Sequence, residues 1–388
     1  MKNKFWYGIS ATVILLSVTS LLTDVSSEII RAVLPLFLTA LGAGGVAVGL
    51  IGGMSDTFAS LFKVFSGYLS DKTGKRKPYI FSGYSMSSIA KLFISLSTSW
   101  IHVLIFQPIE RIGKGVRDPP RDALLAETTP KAIHGKIFGF HRLLDTAGAF
   151  FGAALAFLFL WLLGLELRTI ILIAAVVAFI ALIPLMFIKE KKKKAEKISL
   201  KISLKTLPKN FRIFIFIVAL FSLADFSYMF FVLKAAEAFP YSKVIPVLMY
   251  VLFNFVYAVF ALPSGMLSDK IGRKNTLVIG YLLFSATTLG FAFLQPSIFV
   301  YILLFATYGL SYAFIVGTER AFASDLVEKR FGTALGTFHT ILGLAALPAS
   351  LIAGILWQYV SPAATFLFAT LVADIAAILF ILNKKLKI

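Results

Sequence analysis

Cysteine is absent from this sequence, and charged side chains are scarce for its length. The absence of cysteine excludes a disulfide framework and a thiolate metal site, and it leaves the redox compartment open. Charged residues make up 15% of the 388 residues, whereas soluble proteins carry about a quarter. Hydrophobic residues reach 59%. This composition excludes an ordinary soluble domain and predicts an all-α protein that crosses a membrane many times.

Acidic residues are the scarcer of the two charge types, with 19 Asp and Glu against 38 Lys and Arg and a net charge of +19. The lysines occur in short runs between apolar segments. Membrane topology explains such runs, because cytoplasmic loops carry an excess of basic residues. We therefore expect no nucleic-acid partner. Residues 1–4 are basic, but no small-residue cleavage site follows them, so we expect no cleaved signal.

The apolar segments have about 20 residues or more, the length that crosses a hydrocarbon core of roughly 30 Å as a helix. We predict twelve transmembrane helices with the bounds 9–41, 46–70, 78–98, 100–126, 136–163, 168–188, 211–238, 244–268, 274–294, 297–324, 332–359 and 362–383. On one side of the membrane the predicted loops contain only Arg168 and Lys243 as basic residues. The positive-inside rule then predicts a plasma-membrane protein with both termini in the cytoplasm.

One polar segment occurs twice in the chain. SGYLSDKTGKRK at 66–77 returns as SGMLSDKIGRKN at 264–275, each time between two apolar segments. At the same offset Glu127 falls on Asp325, and Asp56 falls on Asn254. The sequence therefore predicts two duplicated halves, 1–188 and 211–388, joined by the basic linker 189–210. Parallel duplication of this kind is found in one large class of secondary transporters.

The repeated segment has the residues of a tight turn at a membrane surface. Gly74 and Gly272 are expected to adopt a positive φ, which glycine does at no steric cost. Asp71 and Asp269 are expected to accept hydrogen bonds from the free N–H groups at the start of the next helix.

Twelve helices in two halves, a basic central linker, and the motif G-x-L-S-D-K-x-G-[KR]-[RK] after helices 2 and 8 resemble the major facilitator superfamily. The resemblance implies that the turn locks the cytoplasmic ends of the two halves in the outward-facing state. It implies gating roles, without contact to the substrate, for Gly67, Asp71, Gly74 and Arg76 and for Gly265, Asp269, Gly272 and Arg273.

A charged residue inside a membrane-spanning helix costs free energy unless it is paired with an opposite charge or hydrated. We therefore treat the charged residues of the predicted helices as candidates for function. Asp24, Glu28 and Arg31 share one face of helix 1, and Asp56 and Lys63 share one face of helix 2. We predict that these five residues bind and tune a coupling proton or cation. The two acids of helix 1 are one turn apart, so one of them is expected to hold a proton unless the arginine stabilises both charges.

Helix 4 is the most highly charged helix. Arg111 precedes a glycine and resembles the family's helix 4 motif, which in relatives is tied to proton coupling. Pro119 and Pro120 are expected to break the backbone ladder and free carbonyl groups. A cytoplasmic ion-pair network that holds the halves together is expected from Arg117, Asp118, Arg121 and Asp122, together with Glu319 and Arg320 of helix 10.

Helix 5 brings His141 and Asp145 onto one face, where the pair is suited either to proton transfer or to a structural hydrogen bond. Gly148 and Gly152 resemble the helix 5 motif of the family's antiporters, but the proline that follows the second glycine there is missing. The alternative role of these glycines is close helix packing. Asp225, Tyr228 and Arg142 are candidates for the lining of a substrate cavity.

The sequence thus predicts a monomeric secondary active transporter, most concretely a proton-coupled exporter of small organic molecules. No G-x-x-x-x-G-K-[ST] motif for ATP occurs, and we expect no cofactor and no resident metal. An anion is the second possible substrate, because Lys91 and the intramembrane arginines outnumber the acids around a cavity. A third is a divalent metal held by Asp24, Glu28 and a histidine. A sensor or lipid-handling protein is the alternative of another class, and no nucleophile, base and oxyanion arrangement points to an enzyme.

Overall fold

The computed structural model describes residues 10–130, 133–188, 190, 208–327, 331–383 and 386, with the side chains of 331–333 excepted. Most of the predicted linker 189–210 therefore lies outside the described residues. The described residues form helices without any strand. Their bounds are α1 Ala11–Ala40, α2 Gly45–Thr73, α3 Lys77–Ser95, α4 Trp100–Glu127, α5 His134–Trp161, α6 Leu167–Ile180, α7 Ile183–Met186, α8 Lys209–Ala224, α9 Met229–Ala238, α10 Val244–Ile271, α11 Arg273–Phe293, α12 Ile298–Asp325, α13 Phe331–Tyr359 and α14 Pro362–Leu382.

Ten segments of the described chain are long and apolar enough to cross a membrane. Two of them each combine two short helices, Leu167–Met186 from α6 and α7, and Lys209–Ala238 from α8 and α9. The remaining long helices, α3 and α4, are more polar than the spans. The twelve predicted helices are therefore present, and their ends agree with the prediction to within a few residues.

Two predicted helices are interrupted. The predicted helix 168–188 is broken before α7, whose first turn contains Pro184. The predicted helix 211–238 stops at Asp225, which caps the end of α8, and resumes at α9. No proline lies in this second break. Its backbone is instead stabilised by a side chain, because the Ser227 N–H donates a hydrogen bond of 3.1 Å to Ser350 Oγ.

The predicted helix 4 is continuous, since α4 runs through Pro108, Pro119 and Pro120 without ending. The missing N–H of Pro119 leaves the carbonyl of Gly115 without its partner in the helix. Ser66 Oγ of α2 supplies that partner at 2.9 Å. The prediction that the prolines free a backbone carbonyl is thus confirmed.

The chain divides into two structural units, each of which packs mainly against itself. The first unit comprises Met1–Val33 and Leu61–Leu200, and the second comprises Leu34–Ser60 and Lys201–Ile388. The segment Leu34–Ser60 thus groups with the C-terminal residues, although the sequence assigns it to the first half.

Small residues hold α5 tightly against α1 in the first unit. A Cβ atom on Gly148 would lie 2.6 Å from the carbonyl oxygen of Leu21, and one on Gly152 would lie 2.4 Å from that of Val25. Real Cβ atoms do not approach so closely, so only glycine permits this packing. The close-packing role of both glycines is confirmed.

The core of the second unit is rich in aromatic rings. The rings of Phe221 and Tyr281 stack with centroids 3.7 Å apart, and those of Phe231 and Tyr308 stack at 4.0 Å. Buried aromatic side chains contribute large apolar areas to a core. The second unit is therefore held by ring packing, whereas the first buries charged residues.

Candidate functional site

Buried charged and polar residues of the first unit form an inner cluster, defined as Ser26, Ser27, Lys91, Gln107, Glu110 and Arg111. The amine of Lys91 is 1% exposed and donates hydrogen bonds of 2.9 Å to both serine hydroxyls of α1. Its Nζ atom also lies 3.9 Å from Glu110 Oε1. The opposite oxygen of Glu110 lies 3.3 Å from Arg111 Nε. One carboxylate thus compensates two cations, which leaves the inner cluster positively charged.

The inner cluster borders a small cavity of about 10 Å³, room for about one water molecule, that is also lined by Ile30 and Arg31. Arg31 donates a hydrogen bond of 2.9 Å to Glu28 Oε1, so α1 adds a second ion pair at this place. Among the described residues, no hydrogen-bond partner reaches the buried atom Gln107 Oε1. Buried polar atoms are normally satisfied, so a water molecule fits this cavity.

The two acids of α1 have different partners. Glu28 is 8% exposed and is paired with Arg31. Asp24 is half-buried, and the nearby charges that act most strongly on it belong to Lys114 and Asp145. The two acids share a helix face, but Arg31 pairs with Glu28, whereas other charged groups act most strongly on Asp24.

A second cluster surrounds Asp118 of α4. Its carboxylate lies 3.5 Å from Lys63 Nζ, 3.8 Å from Arg117 Nε and 3.6 Å from Arg121 NH1. Arg121 also forms an ion pair with Asp122 at 3.0 Å. The four charged residues predicted at the end of helix 4 do lie together in the first unit.

Lys63 is bound to α4 and not to the acid on its own helix. Asp56 is exposed and belongs to the second unit, where its charge acts on Asp225. Asp56 and Lys63 share one helical face in the sequence prediction, but they are two helical turns apart. The carboxylate of Asp118 on α4 lies closer to Lys63 and forms the ion pair.

His141 and Asp145 lie together, and two serines of α1 complete their contacts. Ser17 Oγ is 3.1 Å from His141 Nδ1, and Asp145 Oδ1 is 3.8 Å from the other ring nitrogen. Ser20 donates a hydrogen bond of 2.5 Å to Asp145 and accepts one of 3.0 Å from Arg121. This chain of hydrogen bonds links the pair to the second cluster. Arg142, a predicted cavity residue, is exposed on the other side of α5.

The first copy of the repeated turn is organised by Arg76. Its guanidinium lies 2.5 Å from Asp71 and 3.0 Å from Glu127, and it donates a hydrogen bond of 2.8 Å to Ser70. Burial alone would lower the pKa of this arginine, but the bonds to Glu127 and Asp71 outweigh burial and raise that pKa. Gly74 has φ 65°, so the predicted positive φ is confirmed.

The second copy repeats this geometry around Arg273. The guanidinium lies 2.6 Å from Asp269 and 3.0 Å from Asp325, and it donates a bond of 2.8 Å to Ser268. Gly272 has φ 90°, again as predicted. The prediction that the two motif aspartates accept helix N–H groups is wrong, because both carboxylates are turned to an arginine.

The backbone N–H groups at the start of α3 are taken by another acid. Glu190 accepts hydrogen bonds from the N–H of Arg76 and, at 3.1 Å, from that of Lys77. The amine of Lys77 in turn donates a bond of 2.7 Å to the carbonyl of Ile188. In the second unit, Lys274 makes the equivalent bond of 3.0 Å to the carbonyl of Asn383. Each turn is therefore fastened to the end of its own half.

Two acids of the second unit, the buried Glu319 and the half-buried Asp225, are bonded to tyrosines. Asp225 accepts a hydrogen bond from the Tyr312 hydroxyl, and Glu319 accepts one of 2.7 Å from the Tyr281 hydroxyl. Glu319 was predicted to belong to an ion-pair network with Arg320, and this prediction is wrong. Successive helical residues point about 100° apart, so Glu319 faces the core while Arg320 is exposed.

Tyr228, the remaining predicted cavity residue, is half-buried at the break between α8 and α9. Its ring lies 5.1 Å from that of Tyr250. Within the described residues, no group of three His, Asp or Glu side chains is placed to hold a metal ion.

Sequence reasoning missed Ser26, Ser27, Tyr281 and Tyr312. Serine and tyrosine are common in these helices, and neither residue type marks a site by itself. A signal was present for Ser66, because it belongs to the repeated segment and Pro119 frees a carbonyl nearby.

Comparison with known proteins identifies the family. The model of the Major Facilitator Superfamily matches residues 16–251 and 214–387. The chain belongs to the major facilitator superfamily (MFS). It is therefore an MFS transporter in a lipid bilayer, and the expectation that it is not an enzyme follows from the family.

Two relatives illustrate the range of similarity to other MFS proteins. An uncharacterized MFS-type transporter of Methanocaldococcus jannaschii is 46% identical over 382 residues, which cover 96% of this chain and 95% of that protein. The multidrug resistance protein MdtH of Photorhabdus laumondii is 29% identical over 133 residues, or 34% of this chain and 32% of that protein.

Solved structures confirm the MFS fold. A mutant of the nucleoside transporter NupG has a TM-score of 0.80 at 16% identity and covers 95% of this chain and 99% of its own. A bacterial homologue of the human lysosomal transporter Spinster, in an inward-facing and occupied conformation, has a TM-score of 0.78 at 16% identity and covers 96% of both chains. At such identities the likeness shows the fold alone.

Proposed function

We propose that this MFS transporter couples the export of small organic molecules to the movement of protons. The observation that carries the proposal is the cavity of the first unit, where the ion pair of Glu28 and Arg31 stands beside the inner cluster. Charged side chains at membrane depth are costly, and they are typical of substrate and proton pathways. The similarity over 133 residues to a multidrug resistance protein named MdtH supports a small organic substrate.

Glu28 is the proposed coupling acid. When ionised it holds Arg31 at 2.9 Å, and when protonated it loses the charge that holds the arginine. The arginine, which lines the cavity, is then held less strongly and can meet a substrate group once the cavity opens. A proton and a substrate would thereby favour different arrangements of the same side chains, which is the requirement for coupling. Arg111 acts on this exchange through Glu110, to which it is paired.

The repeated turns are proposed as gates. Arg76 and Arg273 each join an aspartate of the turn to an acid at the end of the fourth helix of the same half. Such a three-residue bridge fixes the turn against its own bundle. Both turns lie among the basic segments that the positive-inside rule assigns to the cytoplasm. We accordingly propose a plasma-membrane monomer with both termini in the cytoplasm. A topology reporter fused after Lys77 tests this orientation and should give a cytoplasmic signal.

Transport of an anion is the second candidate. Lys91, Arg111 and Arg31 bring three positive charges to the cavity, and Glu28 and Glu110 bring two negative ones. The surplus positive charge favours a substrate that carries a carboxylate or phosphate group.

The two candidates are separated by reconstitution into proteoliposomes with a pH-sensitive dye inside. Candidate substrates are added as matched sets of cations, neutral amphiphiles, carboxylates and phosphate esters. Proton movement that follows a cationic or neutral amphiphile supports drug export, and movement that follows only anions supports the second candidate. If any of these sets of solutes is transported without proton movement, the proposed coupling is contradicted.

A further inference from the structure

Glu110 of the first unit and Glu319 of the second are both buried, but they have different kinds of partner. In the first unit Glu110 lies 3.9 Å from the Lys91 amine and therefore has a counter-charge. In the second unit Glu319 and Asp225 are bonded to tyrosine hydroxyls. A hydroxyl can donate a hydrogen bond to a carboxyl group in either of its protonation states, but it supplies no positive charge.

Glu319 of α12 lies in an apolar part of the second unit. It is 4% exposed, and its partner Tyr281 has its ring stacked on Phe221 at 3.7 Å and close to Phe380 at 5.6 Å. In the part of the chain that the structure describes, no Lys, Arg or His side chain lies within ion-pair distance of this carboxyl group. Burial of an ionised carboxylate without a cation is strongly disfavoured, and such a group neutralises by taking up a proton.

The charges that act on Glu319 from a distance are those of Asp225 and Arg320. Arg320 is exposed, so its surroundings screen its charge. Asp225 is itself acted on by Asp56, which belongs to the same unit. Acids that repel one another do not all ionise together, so the negative charge of Asp225 favours the neutral form of Glu319.

We propose that Glu319 is a proton-binding site of the second unit and holds a proton at neutral pH. Uptake adds a proton from water to the carboxylate and yields a neutral carboxyl group that still accepts the Tyr281 hydrogen bond. Release returns that proton to water. A coupling role for this site rests on the proton-coupled transport proposed above, but its proton occupancy does not.

Infrared spectroscopy of the full-length protein in lipid tests the occupancy without any substrate. A protonated carboxyl group absorbs at a higher frequency than the amide and carboxylate bands. We expect such a band at neutral pH, and we expect it to shift when the glutamates carry a ¹³C-carboxyl label. The band should be lost in Glu319→Gln and kept in Glu237→Gln. Glu237 is a matched control in the same unit, because its exposed carboxylate has a counter-charge in Lys234 at 3.6 Å.

Tyr281→Phe provides a second variant if Glu319→Gln does not fold. Loss of the hydrogen bond should move the band to a higher frequency, an effect that a purely structural role of the tyrosine would not produce. A band that is absent at neutral pH, or that ignores the glutamate label, overturns the proposal. Proton flux in proteoliposomes is a separate measurement, so failure of the coupled-transport proposal is distinguishable from failure at Glu319.

Discussion

Ser66 donates a hydrogen bond of 2.9 Å to the carbonyl oxygen of Gly115, which lies four residues before Pro119. The proline has no N–H to offer this carbonyl, so a side chain of α2 takes the place of a backbone donor. At the matching position of the repeat, Ser264 Oγ has no hydrogen-bond partner among the described residues. The residue that corresponds to Pro119 there is Gly317, which keeps its N–H.

Ser66→Ala should therefore lower the melting temperature of the purified protein, while Ser264→Ala should change it little. The first change leaves a buried carbonyl unsatisfied, which costs about 1–3 kcal/mol. The second removes a hydroxyl that has no bond to lose. Thermal melts in one detergent measure both variants. Equal effects would contradict the role assigned to Ser66.

Pro119→Ala extends this test to a double-mutant cycle. The alanine restores an N–H group in α4 that can bond to Gly115, so Ser66→Ala should cost less in this background than in the wild type. Additive losses of stability in the cycle would show that Ser66 and Pro119 do not act on the same carbonyl group.

The carboxylate of Glu110 should matter more for stability than the amine of Lys91, because it compensates both Lys91 and Arg111. Glu110→Gln leaves two buried cations of the inner cluster without their counter-charge, which costs about 3–5 kcal/mol. Lys91→Met leaves Glu110 paired with Arg111 and should cost less, and the double variant should cost less than the sum of the two changes. Lys234→Met with Glu237→Gln is the surface control, for which about 0–1 kcal/mol is expected. Melting temperatures of the wild type and these variants give the comparison, and additivity at the buried pair would contradict it.

Asp71→Asn and Asp269→Asn should slow transport and leave substrate binding intact. Each aspartate contacts an arginine of its own turn and not the inner cluster. The arginine keeps its second acid, Glu127 or Asp325, so the turn should stay folded. Flux into proteoliposomes and binding to detergent-solubilised protein are measured for the same substrate. Loss of binding in a folded variant would remove the gating assignment.

The sequence predicts the helices and the turns well, because hydrophobic length and the repeated motif are local signals. It predicts ion-pair partners poorly. The sequence shows which side chains share a helical face, but it does not show which neighbouring helix packs against that face. Lys63 illustrates this, since its acid is Asp118 of α4 and not Asp56 of its own helix. Glu319 and Arg320 are neighbours in sequence and still lie in different surroundings. The break after Asp225 was missed because no proline or glycine marks it.

The central claim is that Glu28 couples protons to substrate, and Glu28→Gln tests it most directly. The neutral amide imitates the protonated acid and cannot hold Arg31 as an ion pair. In vesicles that contain the variant, substrate should still exchange at equilibrium, but its accumulation against a gradient should be lost at every pH between about 5 and 9, a range that spans the ordinary pKa values of carboxyl and imidazole groups. Asp24→Asn is measured beside it, because that acid lies beside Lys114 and Asp145 and not Arg31. Full gradient-driven accumulation by Glu28→Gln, with the pH profile of the wild type, would contradict the account.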